Sequence, residues 1–311
     1  MTERIPGFDT LAIHAGAQPE PTTGARVTPI YQTTSFVFDD VDHAASLFAL
    51  QTFGNIYSRV GNPTNAVLEE RVAALEGGTA GLAVASGHAA QVIVMQTLLM
   101  PGDEFIASKK LYGGSINQFN HAFKSFGWNV VWADPDDISS FEKAVSPKTK
   151  AIFVESIANP GGIVTDIKAI AEIARKAGVP LIVDNTLATP YLCRPFEHGA
   201  DIVVHSLTKY MGGHGNSIGG IIVDSGKFPW AEHKARFPML KTSPRSKRRF
   251  RPRPKRSSSN RSPIRAASSP TLKASPRSPA RRKCRSSSTT RSPHLTYADL
   301  SITVPTSSCI R

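Results

Sequence analysis

The sequence predicts an α/β fold: a mostly parallel, seven-stranded sheet with helices on both faces. Three observations predict it. Short apolar runs of four or five residues alternate with stretches of helical periodicity between residues 81 and 223. Such alternation requires crossover connections, and these lay helices over both faces of a buried sheet. The first 240 residues are also enough chain to bury one large core.

Composition divides the chain in two. Residues 1–240 carry 18 Lys and Arg against 23 Asp and Glu, a net charge of −5. Residues 241–311 carry 19 Lys and Arg against Asp299 alone, a net charge of +18. The whole-chain charge of +13 therefore does not describe a nucleic-acid-binding body. All 23 glycines precede residue 241, whereas the last 71 residues hold 17 serines and nine prolines. Such a segment is expected to be disordered. The break falls abruptly after Phe237-Pro238-Met239-Leu240, so the segment reads as an out-of-frame translation of a GC-rich coding stretch. The alternative is a genuine basic tail whose repeats, such as Arg277-Ser278-Pro279, contact RNA phosphates. No apolar run approaches the ~20 residues of a membrane span. Met1 to Pro6 contain no apolar signal core, and Cys193, Cys284 and Cys309 are few, odd in number and scattered. A cytoplasmic protein without a disulfide framework is expected, with no membrane partner and no metal ligands assigned.

The elements follow in order. Residues 1–57 have weak periodicity and many turn residues, and read as an extended N-terminal arm with short elements. Residues 58–240 read as the large ligand-binding domain. Thr64–Leu75 is a predicted helix with Val67, Leu68, Val72 and Leu75 on one face, and Asn62-Pro63-Thr64 supplies its cap. The predicted strands are Gly81–Ala85, Glu104–Ala107, Val130–Ala133, Ala151–Glu155, Leu181–Asp184, Ile202–His205 and Gly220–Val223. The predicted helices between them are His88–Leu99, Gly114–Phe123, Ile138–Ala144 and Asp166–Ala177. Ligands bind such sheets at the carboxyl ends of the strands, and polar residues gather there.

The densest of these clusters is Ser206-Leu207-Thr208-Lys209-Tyr210-Met211-Gly212-Gly213-His214. It puts Lys209 just beyond the apolar run Ile202-Val203-Val204. Desolvation at the end of a buried strand lowers an amine's pKa and makes it nucleophilic toward carbonyls. That is the setting of a lysine that forms a Schiff base with pyridoxal phosphate; a solvated lysine after a strand is the plainer alternative. Leu181-Ile182-Val183-Asp184 ends a second strand in a carboxylate. Asp184 either caps the next element or pairs with a protonated pyridine nitrogen, keeping the ring an electron sink. Ser86-Gly87-His88 opens a helix, and the backbone N–H groups there suit a phosphate. His88 is expected to contribute its backbone rather than its ring. In Leu111-Tyr112-Gly113-Gly114 an aromatic beside two glycines is open enough for a flat ring to stack, or is a core tyrosine. In Tyr57-Ser58-Arg59-Val60-Gly61, Arg59 forks onto a phosphate with help from Tyr57, or is a surface arginine beside a helix cap. Asn159-Pro160-Gly161-Gly162 follows the strand ending at Glu155, on the same sheet edge.

Together these segments resemble the Cys/Met-metabolism branch of pyridoxal-phosphate enzymes, fold type I, over about residues 7–240. The resemblance implies Lys209 as the Schiff-base lysine, Asp184 on the pyridine nitrogen and Tyr112 stacked on the ring. It implies Gly87, His88, Ser206 and Thr208 on the phosphate, Asn159 near the ring hydroxyl and Glu155 behind them. Tyr57 and Arg59 would reach the phosphate of a neighbouring subunit, which makes the protein a homo-oligomer, in the intact family a dimer of dimers. Thr10–Gly16, Pro29–Phe36, Ala85–Gln91 and Gly212–Gly215 resemble the sulfhydrylase subgroup. That implies γ-replacement on O-acetylhomoserine by sulfide or methanethiol, with Lys209 moving protons and Tyr112 assisting. γ-Elimination, cystathionine synthesis and a non-catalytic remnant that still binds pyridoxal phosphate are the alternatives. The family continues into a C-terminal domain that binds the substrate carboxylate. Here the basic segment stands in its place, so a poorly folded or inactive chain is expected.

Overall fold

The computed structural model describes residues 6–49 and 51–241. Expectations for residues 242–311, including disorder, a shifted frame and RNA contact, lie outside the described residues. Seven strands form one sheet: β1 (Ala80–Val84), β2 (Glu104–Ser108), β3 (Asn129–Ala133), β4 (Thr149–Glu155), β5 (Leu181–Asp184), β6 (Ile202–Ser206) and β7 (Gly220–Asp224). Their order is β1-β7-β6-β5-β4-β2-β3. All pairs are parallel except those of β7, which runs antiparallel to β1 and to β6. Each strand falls within a residue or two of its predicted limits.

Apolar residues bury alternately on the two faces. Ile152, Val154, Leu181, Val183 and Val203 pack under three helices, α3 (Pro63–Glu76), α6 (Ser139–Ala144) and α7 (Ile167–Ala177). Ala151, Phe153, Ile182, Ile202 and Val204 pack under α4 (Gly87–Leu98) and under α5 (Gly113–Asn117), which runs on into a π-helical turn at Gln118–Phe123. Phe228 and Phe237, from the chain after β7, complete this second layer. A strand buried on both faces reads as a continuous apolar run, which is why the strands were legible.

The arm carries two helices, α1 (Phe8–His14) and α2 (Val41–Phe48), the latter capped by Asp40 through His43 N at 2.7 Å. Asn62 caps α3 as predicted, accepting from Thr64 N at 2.9 Å, with Pro63 in the first turn. The buried face of α3 differs from the predicted one. Leu68 is exposed, and Ala66, Val72, Ala73, Leu75 and Glu76 are buried. The reason is close backbone contact: a Cβ on Gly81 would lie 2.7 Å from Glu69 O, so α3 rests on β1 through its backbone and small residues.

Close backbone approach also fixes the strand ends. A Cβ on Gly220 would lie 2.1 Å from Ser86 O, and one on Gly87 2.7 Å from Ser206 Cβ. Gly220→Ala is therefore expected to lower unfolding free energy by about 2–3 kcal/mol, because neither neighbour is a flexible side-chain tip. Gly61, with open space around its Cα, serves as control: Gly61→Ala should change stability by less than about 1 kcal/mol. Urea midpoints of the two variants check this.

Candidate active site

One cleft of about 490 Å³ opens at the carboxyl ends of β4, β5 and β6. Eight predicted residues line it: Gly87, His88, Tyr112, Asn159, Asp184, Ser206, Thr208 and Lys209. They come from elements far apart in sequence, brought together by the parallel register that sets Glu155 beside Asp184 and Asp184 beside Val204. Tyr57 and Arg59 lie outside this cleft, with the guanidinium 5.6 Å from the Tyr57 ring centre and both residues exposed.

The α4 end has the donor set of an anion site. Ser86 Oγ accepts from Ala89 N at 3.1 Å and caps the helix. The N–H groups of Gly87 and His88 are then left without intrahelical acceptors, at the positive end of a 12-residue helix. Ser206 meets this end because Gly87 has no side chain to hold it off. Thr208 sits one turn further on, and its hydroxyl accepts from Gly219 N at 3.1 Å.

Asp184 stands between neutral donors. Its Oδ1 accepts from Thr186 N at 3.1 Å and Thr186 Oγ1 at 2.5 Å, and its Oδ2 accepts from Gln91 Nε2 at 3.3 Å. Gln91 is buried, donates also to Ser115 Oγ at 2.9 Å, and leaves its Oε1 without a partner. No ion pair to Asp184 occurs among the described residues. Gln91 and Thr186 were missed in the sequence reading. Gln91 lies four residues after Gly87, and so on the same face of α4 as the helix start; Thr186 lies two after Asp184, within reach of its carboxylate. Both spacings were usable signals.

Glu155 joins two loops. Its Oε1 accepts from Tyr112 N at 2.7 Å and its Oε2 from Asn159 N at 3.1 Å. Burial, with the Asp184 charge second, pushes its carboxyl up to about 8. The Tyr112 ring lies 6.0 Å from the His88 ring, 27° from parallel, and Gly114 leaves room for it. His88 thus brings its imidazole to the cleft as well as its backbone.

The expectation of a desolvated Lys209 is corrected. Strand β6 ends at Ser206, the chain turns over residues 207–212, and Lys209 is exposed on the rim of the cleft. Three residues of turn carry the amine clear of the apolar layer that buries Val203 and Val204.

The residues present fit pyridoxal phosphate. Unpaired helix-end N–H groups beside Ser206 suit the phosphate, a carboxylate held by neutral donors suits a cationic ring nitrogen, and a lysine faces the same space.

The raised carboxyl of Glu155 has a consequence for stability. Between its ordinary value of 4.5 and about 8, the folded chain holds a proton that the unfolded chain releases. Stability from this group therefore falls as pH rises through that window. From pH 6 to 8 the cofactor-free protein should lose on the order of 1–2 kcal/mol more than Glu155→Gln. Parallel denaturation profiles for the two would contradict this.

Comparison with known proteins agrees with the geometry. Residues 9–249 match the family described as Cys/Met metabolism PLP-dependent enzyme. The chain is 52% identical over 226 residues to O-acetyl-L-homoserine sulfhydrylase of Leptospira meyeri, covering 73% of this chain and 51% of that one. It is 51% identical over 237 residues to homocysteine/cysteine synthase of Saccharomyces cerevisiae, covering 75% and 53%. Among solved structures it is similar to a putative O-acetylhomoserine (thiol)-lyase from Campylobacter jejuni in which a lysine carries the pyridoxyl phosphate group. That match has a TM-score of 0.70 and 41% identity, over 77% of this chain and 56% of that one. The chain spans about half the length of the curated relatives it matches. On a match of this extent, with the fold and cleft described above, the chain belongs to the Cys/Met-metabolism family of pyridoxal-phosphate-dependent enzymes.

Proposed function

We propose that this chain carries the cofactor-binding body of a transferase performing γ-replacement on O-acetylhomoserine, with sulfide or methanethiol as the incoming nucleophile. The supporting observation is the convergence of eight residues on one cleft, in a chain about half identical to sulfhydrylases and homocysteine synthases. Pyridoxal phosphate supplies an electron sink for the substrate's α carbon. Gly87 and His88 N–H, with Ser206 and Thr208, bind its phosphate. Asp184 accepts from the ring nitrogen and keeps it protonated, and Thr186 and Gln91 orient that carboxylate. Asn159 lies at the edge of the ring hydroxyl. Tyr112 covers the ring face, placed by Glu155 through its backbone N–H. Lys209 Nζ would hold the cofactor, then take the α proton and a β proton before acetate departs, and return both once the thiol has added; Tyr112 would assist this traffic. Acetate leaves from the γ carbon and the thiol adds there, giving homocysteine or methionine.

The assembly belongs to the same proposal. Tyr57 and Arg59 lie outside their own cleft and serve the phosphate of a neighbouring copy. The arm around them exposes Val27, Ile30, Val37, Val41 and Phe53, apolar surface that a second copy would cover. Among the described residues no helix is long and apolar enough to cross a membrane, and we place the reaction in the cytoplasm.

Residues 1–240 joined to the C-terminal domain of a sulfhydrylase relative should, with pyridoxal phosphate, convert O-acetylhomoserine and sulfide to homocysteine and acetate, whereas the 311-residue chain should show little turnover. Lys209→Ala should lower the rate about 10³-fold or more. Cleavage of methionine or cystathionine in place of sulfide consumption would favour a γ-lyase and contradict the proposal.

A further inference from the structure

Glu76, Asn185 and His205 are each fully buried, and none of them lines the cleft. They come from the end of α3, the residue after β5, and β6. Glu76 Oε1 accepts from Asn185 Nδ2 at 2.9 Å and meets His205 Nε2 at 2.6 Å. Asn185 Nδ2 also donates to the Cys193 carbonyl at 2.9 Å. Glu76 Oε2, Asn185 Oδ1 and His205 Nδ1 have no hydrogen-bond partner. Desolvating a carboxylate and leaving buried polar atoms unpaired both oppose folding. The cluster is thus a poor stabiliser, and well-packed apolar side chains of similar volume would hold this core at least as well.

Its geometry is more specific than its energy. Asn185 is the chain neighbour of Asp184, and His205 of Ser206. One carboxylate oxygen therefore grips, from the α3 face, the two adjacent strand ends that carry the cofactor-facing groups on the α4 face. Thr186 ties the same ends on the other side. Ser206 N donates to Thr186 Oγ1 at 2.8 Å, and Thr186 Oγ1 donates to Asp184 Oδ1 at 2.5 Å.

We propose that Glu76 is a positioning residue: acting through Asn185 and His205, it sets the spacing between Asp184 and the Ser206–Lys209 turn. This rests on the pyridoxal phosphate reading above. The test is titration of pyridoxal phosphate into the cofactor-free 311-residue protein, followed by tryptophan fluorescence, with thermal melting of each variant in parallel. Glu76→Gln keeps the reach and one acceptor oxygen, and should bind within about threefold of wild type. Glu76→Asp shortens the reach by one methylene and should weaken binding about tenfold. In the double variant Glu76→Asp with Asp184→Asn, the loss should be smaller than the product of the single losses, because Asp184 is the group that Glu76 places. A purely structural role gives losses that multiply. Should Glu76→Asp fail to fold, His205→Gln, which alters the arm to β6, takes its place in the same cycle with the same expectation. Losses that multiply, or wild-type affinity in the shortened variant, overturn the inference alone. A wild-type protein that takes up no pyridoxal phosphate overturns the cofactor reading and this inference with it.

Discussion

The parallel register of β4, β5 and β6 is the constraint on which the site depends. It sets Glu155 opposite Asp184 and Asp184 opposite Val204, so β4 and β5 finish level and β6 runs two residues further, to Ser206. A slip of one residue would turn Asp184 into the apolar layer and bring Val183 to the cleft. Burial on both faces prevents that slip, since Leu181, Ile182 and Val183 are all fully enclosed. Strand ends fixed in register by hydrophobic packing form one edge, and the polar residues of the cleft stand on it.

The edge concentrates carboxyl groups. Asp184 is held by hydroxyl and amide donors, with no ion pair among the described residues, and the Glu155 carboxyl beside it is pushed up to about 8 by burial first and by the Asp184 charge second. Both disfavour the charged form of Glu155. A cationic ring nitrogen would relieve this, as would the positive end of α4 for a phosphate. The protein alone leaves Tyr112 against His88 and Lys209 in solvent.

Much of this was legible in the sequence, for identifiable reasons. Strands buried on both faces read as unbroken apolar runs, and the Asn62-Pro63-Thr64 cap is a local signal that tertiary contacts did not override. The residues at or just after the strand ends, from Ser86 to Lys209, line one cleft because topology sends such ends to one edge. What escaped depended on contacts between distant positions. Leu68 was placed inside because its spacing is correct, whereas Gly81 lets the α3 backbone settle onto β1 and shifts the buried face. The Glu76 cluster joins residues 109 and 129 positions apart, and no local pattern announces it. Lys209 was read as desolvated because the strand before it is; the turn that lifts it to the rim is set by residues 207–212.

Lys209 is the residue proposed to attach the cofactor. Borohydride reduction of the protein with pyridoxal phosphate, followed by peptide mass mapping, tests it directly. A pyridoxyl phosphate adduct is expected on the peptide containing Lys209, and its loss is expected in Lys209→Ala. An adduct spread over surface lysines such as Lys109 or Lys168, with none on Lys209, would contradict it.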